Sequence, residues 1–210
     1  FRTQINDMKL VNDPSQIKNG EAVILITGDG QTEHRLTKAL CRKIDGGQGR
    51  KYLFWPRGPL PSKTTGLRSL EQVKILMQKY PINCFLWICD RKHLRDRDKW
   101  SEVVESLKEY GINAEIINDW QHSACFRLNI GSREGFLWVA ISGEERNIEE
   151  NLAKLIKVRL NLDVEPKLVR DTLKQRGINM DTLVSEATDE QINISMPSLF
   201  NVLKLLHNDC

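Results

Sequence analysis

The sequence predicts an α/β fold: a mostly parallel central sheet flanked by helices, with a helical extension at the C-terminus. Short apolar runs alternate with amphipathic segments of helical period, which is typical of a parallel sheet with helical crossovers. One run, "NCFLWICD", is apolar along almost its whole length, as a strand covered on both faces would be. After Val164 only helical patterns remain. We therefore expect an α/β domain over residues 1–160 and a helical extension over residues 161–210.

The N-terminal half predicts two strand–helix units followed by a buried strand. The apolar run at residues 23–27 is a strand, and a Gly-Asp-Gly turn leads from it into a helix over residues 31–44. "YLFW" predicts the next strand, and the three prolines in the loop after it exclude regular structure. A helix over residues 67–80 ends at Pro81, and "NCFLWICD" follows as the central strand.

The second half continues this alternation and then becomes helical. A helix over residues 99–110 is capped by Gly111, and "INAEII" is the next strand. "ACFRLNI" and "EGFLWVAIS" predict two more strands, joined as a hairpin by "GSRE", before a helix over residues 144–160. The C-terminal helices either form an appendage or cover one flank of the sheet. Their apolar segment "LFNVLKLL" is a candidate contact for a protein partner or a homo-oligomer.

Composition limits the classes of protein that the chain could belong to. Of 210 residues, 40% are hydrophobic and 28% charged, which suffices for a sizeable core. No apolar run approaches the roughly 20 residues that span a bilayer, and the first residues lack the apolar stretch of a secretion signal. We therefore expect an intracellular protein, cytoplasmic or nuclear, with no membrane partner. The first residue, Phe1, predicts a trimmed product or a piece of a longer chain. The five cysteines lack C-x-x-C spacing and predict reduced thiols.

Carboxylates follow two of the predicted strands. Asp29 lies between two glycines directly after the first strand, and Asp90 ends the central strand. The loop after Asp90, "RKHLRDRDKW", adds Asp96 and Asp98. Because ligands bind at the carboxyl ends of parallel strands, these side chains are candidate ligands for Mg²⁺ or Mn²⁺, with a phosphate completing the shell. The alternative is that Asp29 is only a turn residue and that Asp96 and Asp98 belong to a solvated loop.

A basic segment suggests contact with nucleic acid. Residues 46–70 contain no Asp or Glu. The basic residues of this segment are Arg50, Lys51, Arg57, Lys63 and Arg68. Trp55 is its best candidate for stacking on a base, and Arg91 and Lys92 add positive charge after the central strand. The other interpretation of the aromatic residues is that they are core.

Two motifs resemble those of Toprim domains. "GDGQTEHRLTKAL" is similar to the family's opening motif, in which a strand ends in an acidic residue followed by Gly, a variable residue, Thr and Asp or Glu before a helix. "FLWICD" with its charged loop resembles the family's later strand, which runs into Asp-x-Asp. The resemblance covers roughly residues 22–118. By it, Asp29 takes the place of the first acid, Glu33 that of the acid closing the motif, and Asp90 that of the first aspartate.

The resemblance implies a small α/β domain in which carboxylates bind Mg²⁺ and nucleic-acid phosphodiesters are cleaved or transferred. We therefore expect, most simply, a metal-dependent nuclease in which Asp29 and Asp90 hold the metal, while Glu33 or Asp96 serves as ligand or general base. The chain also departs from the family, since its first acid is Asp rather than Glu and Lys92 stands where the second aspartate would be.

Two other functions fit the sequence. One is a non-catalytic module that binds nucleic acid or protein, in which Lys92 has replaced a metal ligand. The other is an α/β domain that binds a nucleotide phosphate at the glycine turn. The chain lacks a complete G-x-G-x-x-G or Walker pattern for that role.

Overall fold

The central feature of the fold is a sheet to which the described part of the chain contributes seven strands, and the α/β prediction is confirmed. A computed structural model describes residues 9–17, 21–27, 31–45, 51–56, 64–95 and 98–209. The strands are β1 (Lys9–Val11), β2 (Glu21–Thr27), β3 (Lys51–Phe54), β4 (Cys84–Asp90), β5 (Asn113–Trp120), β6 (Ser123–Ile130) and β7 (Arg133–Ser142). Their order is β1-β3-β2-β4-β7-β6-β5. The first five in this order are parallel, and β6 and β5 extend the sheet as antiparallel strands.

Helices cover both faces of this sheet. They are α1 (Gln31–Asp45), α2 (Glu71–Lys79), α3 (Lys99–Glu109), α4 (Ile148–Leu160), α5 (Val169–Gln175), α6 (Met180–Ser185), α7 (Asp189–Ser195) and α8 (Pro197–Asp209). Among the described residues, no helix is both long enough and apolar enough to span a membrane.

Alternate residues of β4 belong to two separate hydrophobic cores. Leu86 and Ile88 pack in the first core, on the face covered by α1, α4 and α8. Trp87 and Cys89 pack in the second core, on the face covered by α2 and α3. Because both faces are buried, the strand is apolar throughout. Cys84 is partly buried and packs against the first core, so Cys84 and Cys89 occupy opposite faces, as their spacing predicts.

The differences from the predicted elements are local. Neither β1 nor α7 was predicted, and both are short. The helix predicted from residue 144 begins at Ile148. The helix predicted over residues 67–80 is divided into a 3₁₀ turn, Gly66–Leu70, and α2. Of the two arrangements considered for the C-terminal helices, they cover one face of the sheet, where Val169, Leu183 and Phe200 are buried in the first core.

Candidate functional site at the carboxyl edge of the sheet

Three neighbouring parallel strands end at the same edge of the sheet. Thr27, the last residue of β2, pairs with Ile88 of β4. Asp90, the last residue of β4, pairs with Ser142 at the end of β7. Ligands of open α/β sheets bind outside such carboxyl ends. Of the predicted site residues, the structure brings Asp90 to this edge. Asp29 lies outside the described residues.

Asp90 is buried, and both of its carboxylate oxygens are engaged. Oδ1 accepts a hydrogen bond of 3.1 Å from the backbone N–H of Ile148, the first residue of α4. Oδ2 lies 3.3 Å from Nζ of Lys92. Burial raises the pKa of Asp90, and the positive charge of Lys92 and the Ile148 N–H oppose this shift without cancelling it. Asp90 is therefore a desolvated carboxylate that pairs with Lys92 and accepts a hydrogen bond from the N-terminus of α4.

Asp90 shares an open cleft of about 660 Å³ with Glu33. We call this space the carboxylate cleft and define it by Glu33, Asp90, Lys92, Glu149 and Arg170, which all line it. Glu33 is only 6% exposed and lies in the first turn of α1. The two acids, which lie in separate sequence motifs, therefore line the same cleft.

Arg170 joins the two helices that border the carboxylate cleft. Its Nη2 donates a hydrogen bond of 2.6 Å to Oγ1 of Thr32 at the start of α1. The same atom lies 2.9 Å from Oε1 of Glu149 in the first turn of α4. The Glu149 carboxylate in turn raises the pKa of Asp90. Arg170 thus offsets part of the negative charge on one side of the cleft.

The turn between β7 and α4 sets the position of the Ile148 N–H. Gly143 has a φ of +83°, and a Cβ at this position would lie 2.4 Å from the backbone nitrogen of Asn147. The next three backbone N–H groups all donate to Oε2 of Glu150, at 2.9, 3.0 and 3.1 Å. The turn is therefore closed by a carboxylate of its own helix, which explains why α4 begins later than its sequence pattern predicts.

The described side chains do not form a divalent-cation site by themselves. Among them, no group of three His, Cys, Asp or Glu residues could hold a metal ion. A cation that bound Asp90 would also have to displace the Lys92 ammonium from Oδ2. Completing a site would require Asp29 or Asp96, which both lie outside the described residues. Of the predicted metal ligands, the structure therefore places Asp90 at this cleft, which Glu33 also lines, and the described residues do not complete a metal site.

Positive charge gathers at the same edge of the sheet, beyond Asp90. We call Arg91 and Lys99 the cation cluster, and His122 lies near both of them. Lys99 Nζ donates to the backbone carbonyl of Gln121, next to His122 in the turn between β5 and β6. Burial and the charge of Arg91 lower the pKa of Lys99, against the opposing effect of Asp119. Burial, Lys99 and Arg91 lower the pKa of His122, against Glu144. Within the described residues neither Arg91 nor Lys99 forms a salt bridge.

An exposed tryptophan directly precedes the turn that Lys99 contacts. Trp120, the last residue of β5, is 41% exposed and immediately precedes Gln121. Its ring stacks on that of Trp138, with centroids 6.2 Å apart and planes 12° apart. Trp138 itself is buried in the first core. One face of the Trp120 indole is therefore covered by the buried ring of Trp138.

Other predicted site residues have structural roles or lie elsewhere. Asp98 caps the N-terminus of α3, where it accepts hydrogen bonds from the Ser101 backbone and hydroxyl that lower its pKa. Trp55 is half-buried, and the centroid of its ring lies 4.1 Å from the centroid of the His34 ring. Arg68 is exposed in the 3₁₀ turn before α2, and Lys51 opens β3. The predicted residues outside the described ranges are Asp29, Arg50, Arg57, Lys63 and Asp96.

Several residues at this edge were not predicted from the sequence. Arg170 and Glu149 carry helical surface patterns like many others, and only the tertiary fold brings them to Thr32 and Asp90. Trp120 ends a strand that was predicted to stop at Ile117, so its position beside a hairpin turn was missed. A Trp next to Gln-His between two strand patterns was the available signal.

A larger cavity, of about 920 Å³, lies at the opposite, amino edge of the sheet. Its described lining is mostly apolar, with Val23, Phe136 and Trp138 among it, and contains no charged side chain. A phosphate bound there would lose its hydration without gaining a cation. The carboxyl edge is therefore the better candidate for a site that recognises phosphate.

The comparisons with known proteins leave the family open. No protein-family model matches the chain, and a search of curated proteins found no match.

Proposed function

We propose that the chain is a non-catalytic nucleic-acid-binding module, with the Asp90–Lys92 ion pair in the position of a Toprim-like metal site. One observation carries the proposal: Lys92 lies 3.3 Å from Asp90 Oδ2 while the Ile148 N–H occupies Oδ1. The Lys92 ammonium places beside Asp90 the positive charge that a metal ion would otherwise bring. The neighbouring cation cluster, without a described salt bridge for Arg91 or Lys99, is suited to phosphate oxygens.

The test combines binding and cleavage. Labelled DNA and RNA are titrated at several salt concentrations, with and without Mg²⁺ or Mn²⁺, and product formation is followed in the same samples. We expect salt-sensitive binding without cutting, unchanged by Asp90→Asn and weakened by Arg91→Gln, Arg57→Ala or Lys63→Ala. Lys174→Ala, on the exposed surface of α5, is the matched control for loss of one charge. Absence of binding to every nucleic acid would overturn the proposal.

A second candidate is the metal-dependent nuclease, and the shared cleft of Glu33 and Asp90 favours it. This function requires Asp29 to complete the ligands and Lys92 to leave Asp90. Cutting that depends on Mg²⁺ or Mn²⁺ and disappears in Asp29→Asn, Glu33→Gln and Asp90→Asn would establish the nuclease. Lys92→Asp restores an Asp-x-Asp pattern. If the variant gains metal-dependent cutting that the parent lacks, the replaced-site proposal is supported.

A further inference from the structure

We infer that the nucleic acid bound by this chain is single-stranded, with a phosphate between Arg91 and Lys99 and a neighbouring base stacked on Trp120. The inference rests on the proposed nucleic-acid binding and specifies its substrate class. It depends on a combination that the fold creates at one turn. Lys99, the first residue of α3, donates a hydrogen bond to the β5–β6 turn, Arg91 directly follows β4 and is near enough to lower the pKa of Lys99, and an exposed indole ends β5.

The cations provide the phosphate half of the site. Lys99 reaches the turn at the Gln121 carbonyl, and Arg91 is close enough to lower the pKa of Lys99. Arg91 Nη1 donates a hydrogen bond of 2.8 Å to the Leu94 carbonyl. The other N–H groups of the guanidinium can then bind a ligand. A phosphate between the two side chains would relieve their repulsion.

Trp120 provides the base half of the site. Its position at the end of an edge strand leaves the indole 41% exposed, although burial would be favourable for a side chain of this size. Stacking on Trp138 fixes the ring, so a base would stack without ordering a flexible side chain. Bases in a duplex are already stacked on each other, and therefore a single strand is the form that can use this surface.

The chain contains a matched control for Trp120. Ile116 lies on the same strand and has the same 41% exposure. A bulge between Ile116 and Asn118 reverses which side chains of β5 lie on each face of the sheet. Ile116 pairs with Phe126 of the second core, while Trp120 packs on Trp138 of the first core. Ile116→Ala removes an equally exposed apolar side chain from the opposite face of β5.

Fluorescence anisotropy with a labelled oligothymidylate and with a hairpin duplex of equal charge tests the inference. We expect tighter binding of the single strand. Trp120→Ala should weaken it roughly 5- to 150-fold, the range for losing one stacked base, while Trp120→Phe retains most of the affinity and Ile116→Ala all of it. Arg91→Gln and Lys99→Met should each reduce the slope of log K against log salt by about 0.7. Circular dichroism confirms that each variant is folded.

The outcomes separate this inference from the proposed function. If Trp120→Ala binds the single strand as the parent does, while Arg91→Gln and Lys99→Met weaken binding, the chain binds nucleic acid through phosphates only and the single-strand inference is overturned. Equal or tighter binding of the duplex overturns it as well. If neither oligonucleotide binds, the single-strand inference is wrong. The proposed function is wrong as well only if the labelled RNA of the earlier titration also fails to bind.

Discussion

At the scale of single residues, opposing interactions set the pKa of Asp90. The Lys92 ammonium and the Ile148 N–H stabilise its charge, but removal from water costs more, and its pKa remains raised. The folded protein therefore holds the Asp90 proton to a higher pH than the unfolded chain does. The stability that this provides is complete below the ordinary pKa of 3.8 and is lost as pH rises through the folded-state pKa.

Asp90→Asn should remove this pH dependence, because the amide keeps an oxygen for the Ile148 N–H and does not ionise. Urea unfolding at a series of pH values measures the effect. The parent should lose stability relative to Asp90→Asn as pH rises from below 3.8. Asp98→Asn is a control of opposite sign, since hydrogen bonds from Ser101 lower the pKa of Asp98. A stability difference that is the same at every pH for Asp90→Asn contradicts the argument.

At the scale of elements, Asn151 connects three segments. Its Oδ1 accepts a hydrogen bond of 2.6 Å from the N–H of Gly143, and its Nδ2 donates 2.8 Å to the carbonyl of Ser195. One buried amide thus joins the end of β7, helix α4 and the end of α7. The turn that presents the Ile148 N–H to Asp90 depends on this connection.

Asn151→Ala should lower the free energy of unfolding by about 2–4 kcal/mol, because it leaves two backbone groups in a buried site without partners. Glu150→Gln is the control: it keeps an oxygen for the three N–H groups of the turn and should cost less than about 1 kcal/mol. Chemical denaturation measures both. Equal losses for the two variants would show that Asn151 does not hold the elements together.

The sequence predicted elements well where one local pattern decides them. The apolar run of β4 and the helical spacing of α3 depend on neighbours along the chain, and both elements were found. Contacts between distant segments have no such signal. The hydrogen bond from Ile148 to Asp90 spans 58 residues, and the one from Arg170 to Thr32 spans 138. The edge location of Asp90 was therefore predictable, while its partners were not.

At the scale of the whole molecule, the C-terminal helices complete the first core. Phe200 of α8 is 1% exposed and packs in the same cluster as Leu25 of β2 and Leu40 of α1. The sheet face beneath these helices would otherwise present apolar side chains to water. We therefore expect the sheet and these helices to unfold together.

Phe200→Ala should lower the free energy of unfolding by about 3–5 kcal/mol, since it removes a large side chain from a packed core. Ile194→Ala, at a position 47% exposed, should change it by less than about 0.5 kcal/mol. Circular dichroism and tryptophan fluorescence should give coincident transitions for each protein. Separate transitions, with only one shifted by Phe200→Ala, would mean that the helices unfold independently.

The bulge in β5 has a further consequence for behaviour at high concentration. β5 is an edge strand of the sheet, and the backbone groups on its outer side can pair with a strand of another molecule. Ile116 and Ile117 are exposed on this strand. The extra residue between Ile116 and Asn118 bends the strand and interrupts its regular spacing. An incoming strand would find only short stretches in register, so the protein should resist edge-to-edge aggregation despite its exposed isoleucines.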